Sequence, residues 1–308
     1  MAKNSSCNLT LGPVLFNWSP ETWRDFYFRM ADEADVDVVY LGETVCLKRM
    51  PFIEPHLAEV AERLEAAGKA LVFSTLALVM NAQERKALAS IAGAEGYLVE
   101  ANDIAALTAL AGRPHVIGPY VNVYNEDTLT HLADGGAVRV CLPPELPESA
   151  MAPLSSAAKE RGVELEIFAF GRMPLAVSAR CYHARSHNLS KDNCQFVCDQ
   201  DKDGLALKTL DDEDFLTING IQTMSYSVQN LLPDIRRLRD LGISHFRLSP
   251  HSCDMVQVAG VFRKVLDGKM EADEASEILE RHGFGAPFCN GYLHGQAGKD
   301  WRKSPRGS

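Results

Sequence analysis

No apolar run in this sequence approaches the roughly 18 consecutive residues that a bilayer-spanning helix requires. No transmembrane segment is therefore expected. The opening MAKNSSCNLTLGPVLF has one lysine and no long apolar stretch, so no secretory leader is read there and the expected location is the cytoplasm. Positive charge is scarce as well: 31 Lys and Arg face 41 Asp and Glu, a net charge of −10. Such a surface repels phosphate backbones unless basic residues cluster. The densest basic run, Arg236-Arg237-Leu238-Arg239, falls in a helical pattern and reads as a solvated face. Nucleic acid is not an expected partner. The sequence has no low-complexity segment and none of the tight Cys-x2-Cys pairs that mark zinc knuckles. No Gly-x-Gly-x-x-Gly follows the first strand-like run, which removes the fingerprint of a dinucleotide-binding open sheet.

What is present is an ordinary globular composition, 46% hydrophobic and 23% charged over 308 residues. That suffices for one large domain, or one domain with an insertion. Strand-like runs at 10–16, 36–41, 70–75, 96–99, 115–121, 137–141, 163–170 and 244–248 alternate with helical patterns at 20–32, 55–67, 83–92, 102–111, 126–133, 147–161, 233–241 and 254–266. Ser19 followed by Pro20 is an expected helix start. Eight strand–helix units joined by right-handed crossovers predict a (β/α)8 barrel spanning residues 1–308, with a doubly wound open sheet as the alternative. The alternation breaks over 178–229, a stretch with three cysteines, two histidines and acidic clusters, which reads as an insertion after the seventh strand. Unstructured loops of that length are usually functional or disordered, and the aromatic, β-branched and cysteine content here argues against disorder.

Eight cysteines in a reducing compartment are not expected to form a disulfide framework. Three of them form Cys181-x12-Cys194-x3-Cys198 on a polar stretch, a pattern suited to a metal or cluster because thiolates are soft ligands. A fourth ligand would come from a distant loop. Cys46, after the second strand in LGETVC, is the candidate, because the second and seventh strands both open onto the C-terminal mouth that barrel enzymes use. Spacing alone leaves iron–sulfur and zinc both open. His183 and His187 stand four residues apart and could join a zinc site if helical, although they read as solvent-facing imidazoles on a polar loop. Cys141 reads as buried, Cys253 as lining the mouth, and Cys7 and Cys289 as bland. Glu43 and Arg49, close to Cys46, are candidate catalytic residues: a base or neighbouring group, and an anchor for a carboxylated substrate.

The block EIFAFGRMPLAVSARC (Glu166–Cys181) resembles the signature of the collagenase-like peptidase family, roughly Glu-x-Phe-x-His-Gly-Ala-Met-Cys followed by Ser-Gly-Arg-Cys. Glu166, Phe168, Gly171, Met173, Arg180 and Cys181 match. Phe170 stands where the signature has histidine, Arg172 where it has alanine and Pro174 where it has cysteine. These departures remove the groups a thiol hydrolase needs. Together with LGPVLFNW, YLGETVC and NGYLHGQAG, the altered block is similar over almost the whole chain to the branch of that family serving oxygen-independent ubiquinone biosynthesis. That resemblance implies a [4Fe–4S] cluster on Cys46, Cys181, Cys194 and Cys198. It implies a heterodimer with the sister subunit UbiU, hydroxylation of the aromatic ring of quinone precursors with prephenate as the oxygen donor, and UbiT as the lipid-handling partner. An RNA-hydroxylating or peptidase-like relative, or a zinc-binding scaffold, is the alternative.

Overall fold

The computed structural model describes residues 7–303. Among these, twelve strands run in chain order: β1 (Asn8–Leu11), β2 (Val38–Leu41), β3 (Ala70–Ser74), β4 (Leu98–Ala101), β5 (His115–Ile117), β6 (Ala137–Leu142), β7 (Glu164–Val177), β8 (Leu205–Lys208), β9 (Asp214–Asn219), β10 (Gln222–Asn230), β11 (His245–Leu248) and β12 (Phe288–Cys289). β1 to β7 pair in sequence, all parallel, and β11 closes the ring. Its His245 lies opposite Asn8 of β1 on one side and Glu166 of β7 on the other. This is a closed (β/α)8 barrel, and the open-sheet alternative is excluded because no strand edge is left between β7 and β1.

The barrel helices lie outside: α1 (Pro20–Glu33), α2 (Met50–Ala66), α3 (Ala82–Ala92), α4 (Ile104–Leu110), α5 (Glu126–Asp134) and α6 (Glu148–Arg161) precede a short α7 (Tyr182–Ser186), and α8 (Ile235–Asp240), α9 (Met255–Leu266) and α10 (Ala272–His282) complete the set. Their starts follow local chemistry. Ser19 Oγ accepts the Thr22 N–H ahead of Pro20, Asn81 and Glu84 form a reciprocal capping box, and Asp103, Asn125 and Asp254 cap α4, α5 and α9. The helix expected from residue 55 begins at Met50, with Pro51 rather than Pro55 in the first turn. The strand expected over 10–16 ends at Leu11 because Pro13 has no N–H for a ladder.

The segment after Ser178 does leave the barrel, but its return strand was not anticipated. β10 runs antiparallel to the extended β7, from Gln222 opposite Val177 to Asn230 opposite Phe170, and β9 and β8 add to it. QTMSYSVQN reads as loop because Ser, Gln and Asn have little strand preference; here Gln222, Ser225, Ser227, Gln229 and Asn230 are all buried. α10 was likewise unassigned. Inside the barrel, a small apolar set of Val38, Tyr40, Val72 and Val116 shares the space with charge. Arg247 pairs with Glu100 and Glu166, each at 2.6 Å, and Tyr40 donates to Glu166 at 2.7 Å. Among the described residues no helix is long and apolar enough to cross a membrane.

Candidate functional site

Cys46 lies in the loop after β2, before a single 3-10 turn (Leu47–Arg49) that leads into α2. Cys181 caps α7, its Sγ accepting the Ala184 N–H at 3.4 Å. Cys194 follows α7, and Cys198 sits in a second 3-10 turn, Val197–Asp199. The fold brings all four side chains to the wall of one small cavity, which Arg49, His183 and Phe196 also line. The two cysteine-bearing segments are tied across it. Lys48 Nζ donates to the Lys191 and Asp192 carbonyls at 2.7 and 3.2 Å. Its amine is thereby committed to holding loops. Glu43 does similar work: its Oε1 accepts the Val45 and Cys46 N–H groups at 2.7 and 2.8 Å, fixing the turn that presents Cys46. Burial raises the Glu43 pKa, although the Arg49 charge and these N–H groups oppose the rise.

Arg49 is the site's electrostatic centre. It is 2% exposed and donates to the Leu15 carbonyl at 2.8 Å, Asn219 Oδ1 at 3.0 Å and Cys198 Sγ at 3.5 Å. Its Nε has no partner. Burial opposes its charge, but Glu43 and the neighbouring sulfurs outweigh that and raise its pKa. Asn17 Nδ2 adds a second donor to Cys198 Sγ at 3.4 Å. The tight hairpin between β9 and β10 makes room for the guanidinium. Gly220 has φ +63°, and a Cβ there would meet Arg49 Nη2 at 2.9 Å. Burial raises the thiol pKa of Cys46 and Cys181, so without a bound cation both stay protonated at neutral pH. The donor set fits an iron–sulfur cluster: four soft sulfurs, N–H donors directed at two of them, and a buried cation to offset added negative charge.

His183 differs from its expected place. It is fully buried in α7, with Nε2 2.9 Å from Asp201 Oδ2, because α7 packs beneath the hairpin instead of forming a polar loop. His183, His187 and Asp201 bring one potential ligand atom each within 4.8 Å of one another, and His183 also lines the cysteine cavity. Cys253 lines a larger cavity beside the site, while Cys141 and Cys289 are buried in strands. Cys7, read from the sequence as bland, is half-buried against the Ile243 carbonyl; residues 1–6 before it lie outside the described residues. Sequence reading missed Asn17, Asn219 and Phe196. The Asn219-Gly220 pair is a recognisable hairpin signal that could have located the turn, but nothing local shows that it faces Arg49. Where the signature has histidine and cysteine, Phe170 packs against Phe262, Phe284 and Phe288, and Pro174 sits in β7 opposite Met224. Neither offers a nucleophile or a base.

The model of peptidase family U32 matches residues 22–303. Among solved structures, the chain is similar to a phospho-2-dehydro-3-deoxyheptonate aldolase from Thermotoga maritima, with 10% identity, a TM-score of 0.42, and 92% of this chain and 72% of the other covered. It is similar to the tryptophan synthase alpha subunit from Campylobacter jejuni, with 10% identity, a TM-score of 0.40, and coverage of 89% and 96%. A mandelate racemase/muconate lactonizing protein from Paracoccus denitrificans shares 14% identity at a TM-score of 0.37; the match takes in 55% of this chain and spans about half, 49%, of the other.

Proposed function

The chain belongs to peptidase family U32, and on that premise we propose that it is the iron–sulfur subunit of an oxygen-independent hydroxylase. It acts on the aromatic ring of ubiquinone precursors, within the UbiV branch of the family. The observation that carries this reading is the meeting of Cys46, Cys181, Cys194 and Cys198 around one cavity beside the buried Arg49. Loss of the signature histidine and cysteine, with Phe170 and Pro174 in their places, weighs against peptide hydrolysis. The working partner is UbiU, with UbiT presenting the lipid-tailed precursor and prephenate supplying oxygen, all in the cytoplasm.

A [4Fe–4S] cluster held by four thiolates supplies one-electron transfer, with no open iron position. The rest is the work of this chain's residues. Asn17 and Arg49 donate to Cys198 Sγ and the Ala184 N–H to Cys181 Sγ, which stabilises negative charge on the sulfurs. Lys48 ties the two ligand segments together, and Glu43 fixes the turn that presents Cys46. Apolar side chains such as Val197 and Ile221 shield the cavity from water.

Anaerobic purification with UbiU, followed by iron and sulfide analysis, tests the proposal. About four iron and four sulfide per chain are expected, with the visible absorbance of Cys181→Ala bleached. Stoichiometric zinc and no iron would favour the scaffold reading, and the His183–His187–Asp201 group would then be the second place to look.

A further inference from the structure

The C-terminal mouth of the barrel, where enzymes of this architecture work, is plugged. Gln222 donates to the Tyr120 hydroxyl across it, Arg49 and Asn219 join over the Leu15 carbonyl, and the space left above Arg247 is about 10 Å³, no more than one water needs. The space left on the barrel axis is too small for a substrate. Two large cavities open beside the plug instead. One, of about 700 Å³, lies between α2 and α3; it reaches Cys46 and is lined by aliphatic side chains such as Leu47, Met50 and Leu76 together with charged ones such as Glu54 and Lys191, with no aromatic ring. The other, of about 770 Å³, lies between the loops after β1 and β11 and the cysteine segment. Both fall in the range of small-molecule sites.

We infer that the second cavity, walled by Trp18, Phe26, Phe52 and Phe196, is where the reacting aromatic ring binds, an inference that rests on the proposed reading of the cysteine cavity. Phe196 carries the argument. It lines both this cavity and the cysteine cavity, so a ring stacked on it stands one side chain away from the sulfurs. Its backbone is held at φ +55° and that of Gln195 at +48°. Two consecutive side-chain-bearing residues in the left-handed region are strained, and such strain persists where surrounding structure imposes it. Phe52 meets Phe196 edge-on at 4.9 Å and Trp18 meets Phe26 edge-on at 5.2 Å. Aromatic walls of this kind select planar rings. Polar groups share the lining with the aromatic ones, among them the buried Asn17 and His251 and the charged Asp25 and Arg29. Asp199 and Lys202 line the cavity, and among the described residues neither is held in an ion pair. They suit the hydroxyl or carbonyl oxygens of a phenol or quinone. The groove between α2 and α3 has no comparable aromatic set.

The test uses the full chain purified anaerobically, with 2-propylphenol as probe and saturation-transfer NMR as the binding readout. Thr22 and Asp25 are exposed on α1 and line the cavity. Thr22→Trp, and independently Asp25→Trp to guard against a folding defect in the first, should each weaken probe binding by roughly tenfold or more. Ala87→Trp, which fills the α2–α3 groove, should leave binding within about twofold of the parent. Iron content should be equal in all, and the probe should perturb the electron paramagnetic resonance signal of the parent but not of Thr22→Trp. Parent-like binding in both α1 variants, or loss of binding in Ala87→Trp, overturns the inference. Absence of iron throughout overturns the proposed function instead, while the cavity's ligand preference is still read by the NMR arm.

Discussion

Arg247 inside the barrel and Arg49 above it are both almost fully buried, yet their charges are balanced differently. Arg247 has two carboxylates at ion-pair distance, Glu100 and Glu166, and lies over the Tyr40 ring at 4.0 Å. Carboxylates balance its charge and only about 10 Å³ of space is left beside it, although its Nε, like that of Arg49, has no hydrogen-bond partner. Arg49 has a carbonyl, an amide oxygen and a sulfur as partners, and among the described residues no carboxylate at ion-pair distance. Glu43 helps it only from farther off. Isolated buried charge is costly, and the Arg49 guanidinium is left with mostly neutral partners beside four sulfurs. The difference separates a charge paired with carboxylates from one that the proposed anionic cluster would balance.

The largest expected effect tests the carboxylate-paired side. Arg247→Met leaves two buried carboxylates facing each other and should cost about 3–5 kcal/mol in urea unfolding. A loss below about 1 kcal/mol would mean the network is no structural keystone. Next comes acid. Arg247 holds the Glu166 carboxyl down at about 2 from its ordinary 4.5, against the opposing effect of burial. Because the folded pKa is the lower one, the contribution is fully present above pH 4.5 and drains away as pH falls towards 2. It is on the order of 3 kcal/mol at neutral pH. Unfolding measured through that window should be steeper in pH for the parent than for Glu166→Gln; identical slopes would refute the assignment.

On the sulfur side, Arg49→Met should cost less, about 1–3 kcal/mol, but should strip or weaken the bound iron. If it keeps its iron and loses as much stability as Arg247→Met, the two arginines are alike and the comparison fails. The smallest effect belongs to Asn17→Leu. Stability should fall by about 1 kcal/mol or less. The reduction potential should shift downward, because an N–H donor to sulfur favours the more negative, reduced form. An unchanged redox titration would show that the Asn17 contact to Cys198 has no electronic role.

The barrel was legible because strand and helix periods alternate and because caps such as Ser19-Pro20 and Asn81–Glu84 are local devices. The cysteine trio was legible for a similar reason: three thiols close in sequence on a polar segment need no tertiary knowledge to be noticed. β10 and the burial of His183 were not legible. A strand made of Gln, Ser and Asn forms only because β7 and β9 supply partners on both sides, and a histidine on a polar segment is buried only once a hairpin covers it. Glu43 and Arg49 were visible as charged neighbours of Cys46, but their tasks, capping a turn and bonding a sulfur, depend on groups far away in sequence.

The sequence by itself determined the alternation that builds a parallel barrel, the helix starts, and the supply of soft ligands, since each depends on interactions within a few residues. Tertiary structure alone decided that Cys46 meets the other three cysteines, that Arg49 faces Cys198, and that the mouth is closed while a cavity opens beside Phe196. Those outcomes join segments far apart in the chain, 170 residues in the Arg49–Asn219 contact and 204 in the Leu15–Asn219 contact. No local propensity encodes a contact of that span; it is set by the closure of the ring and by which buried polar groups can be satisfied at once.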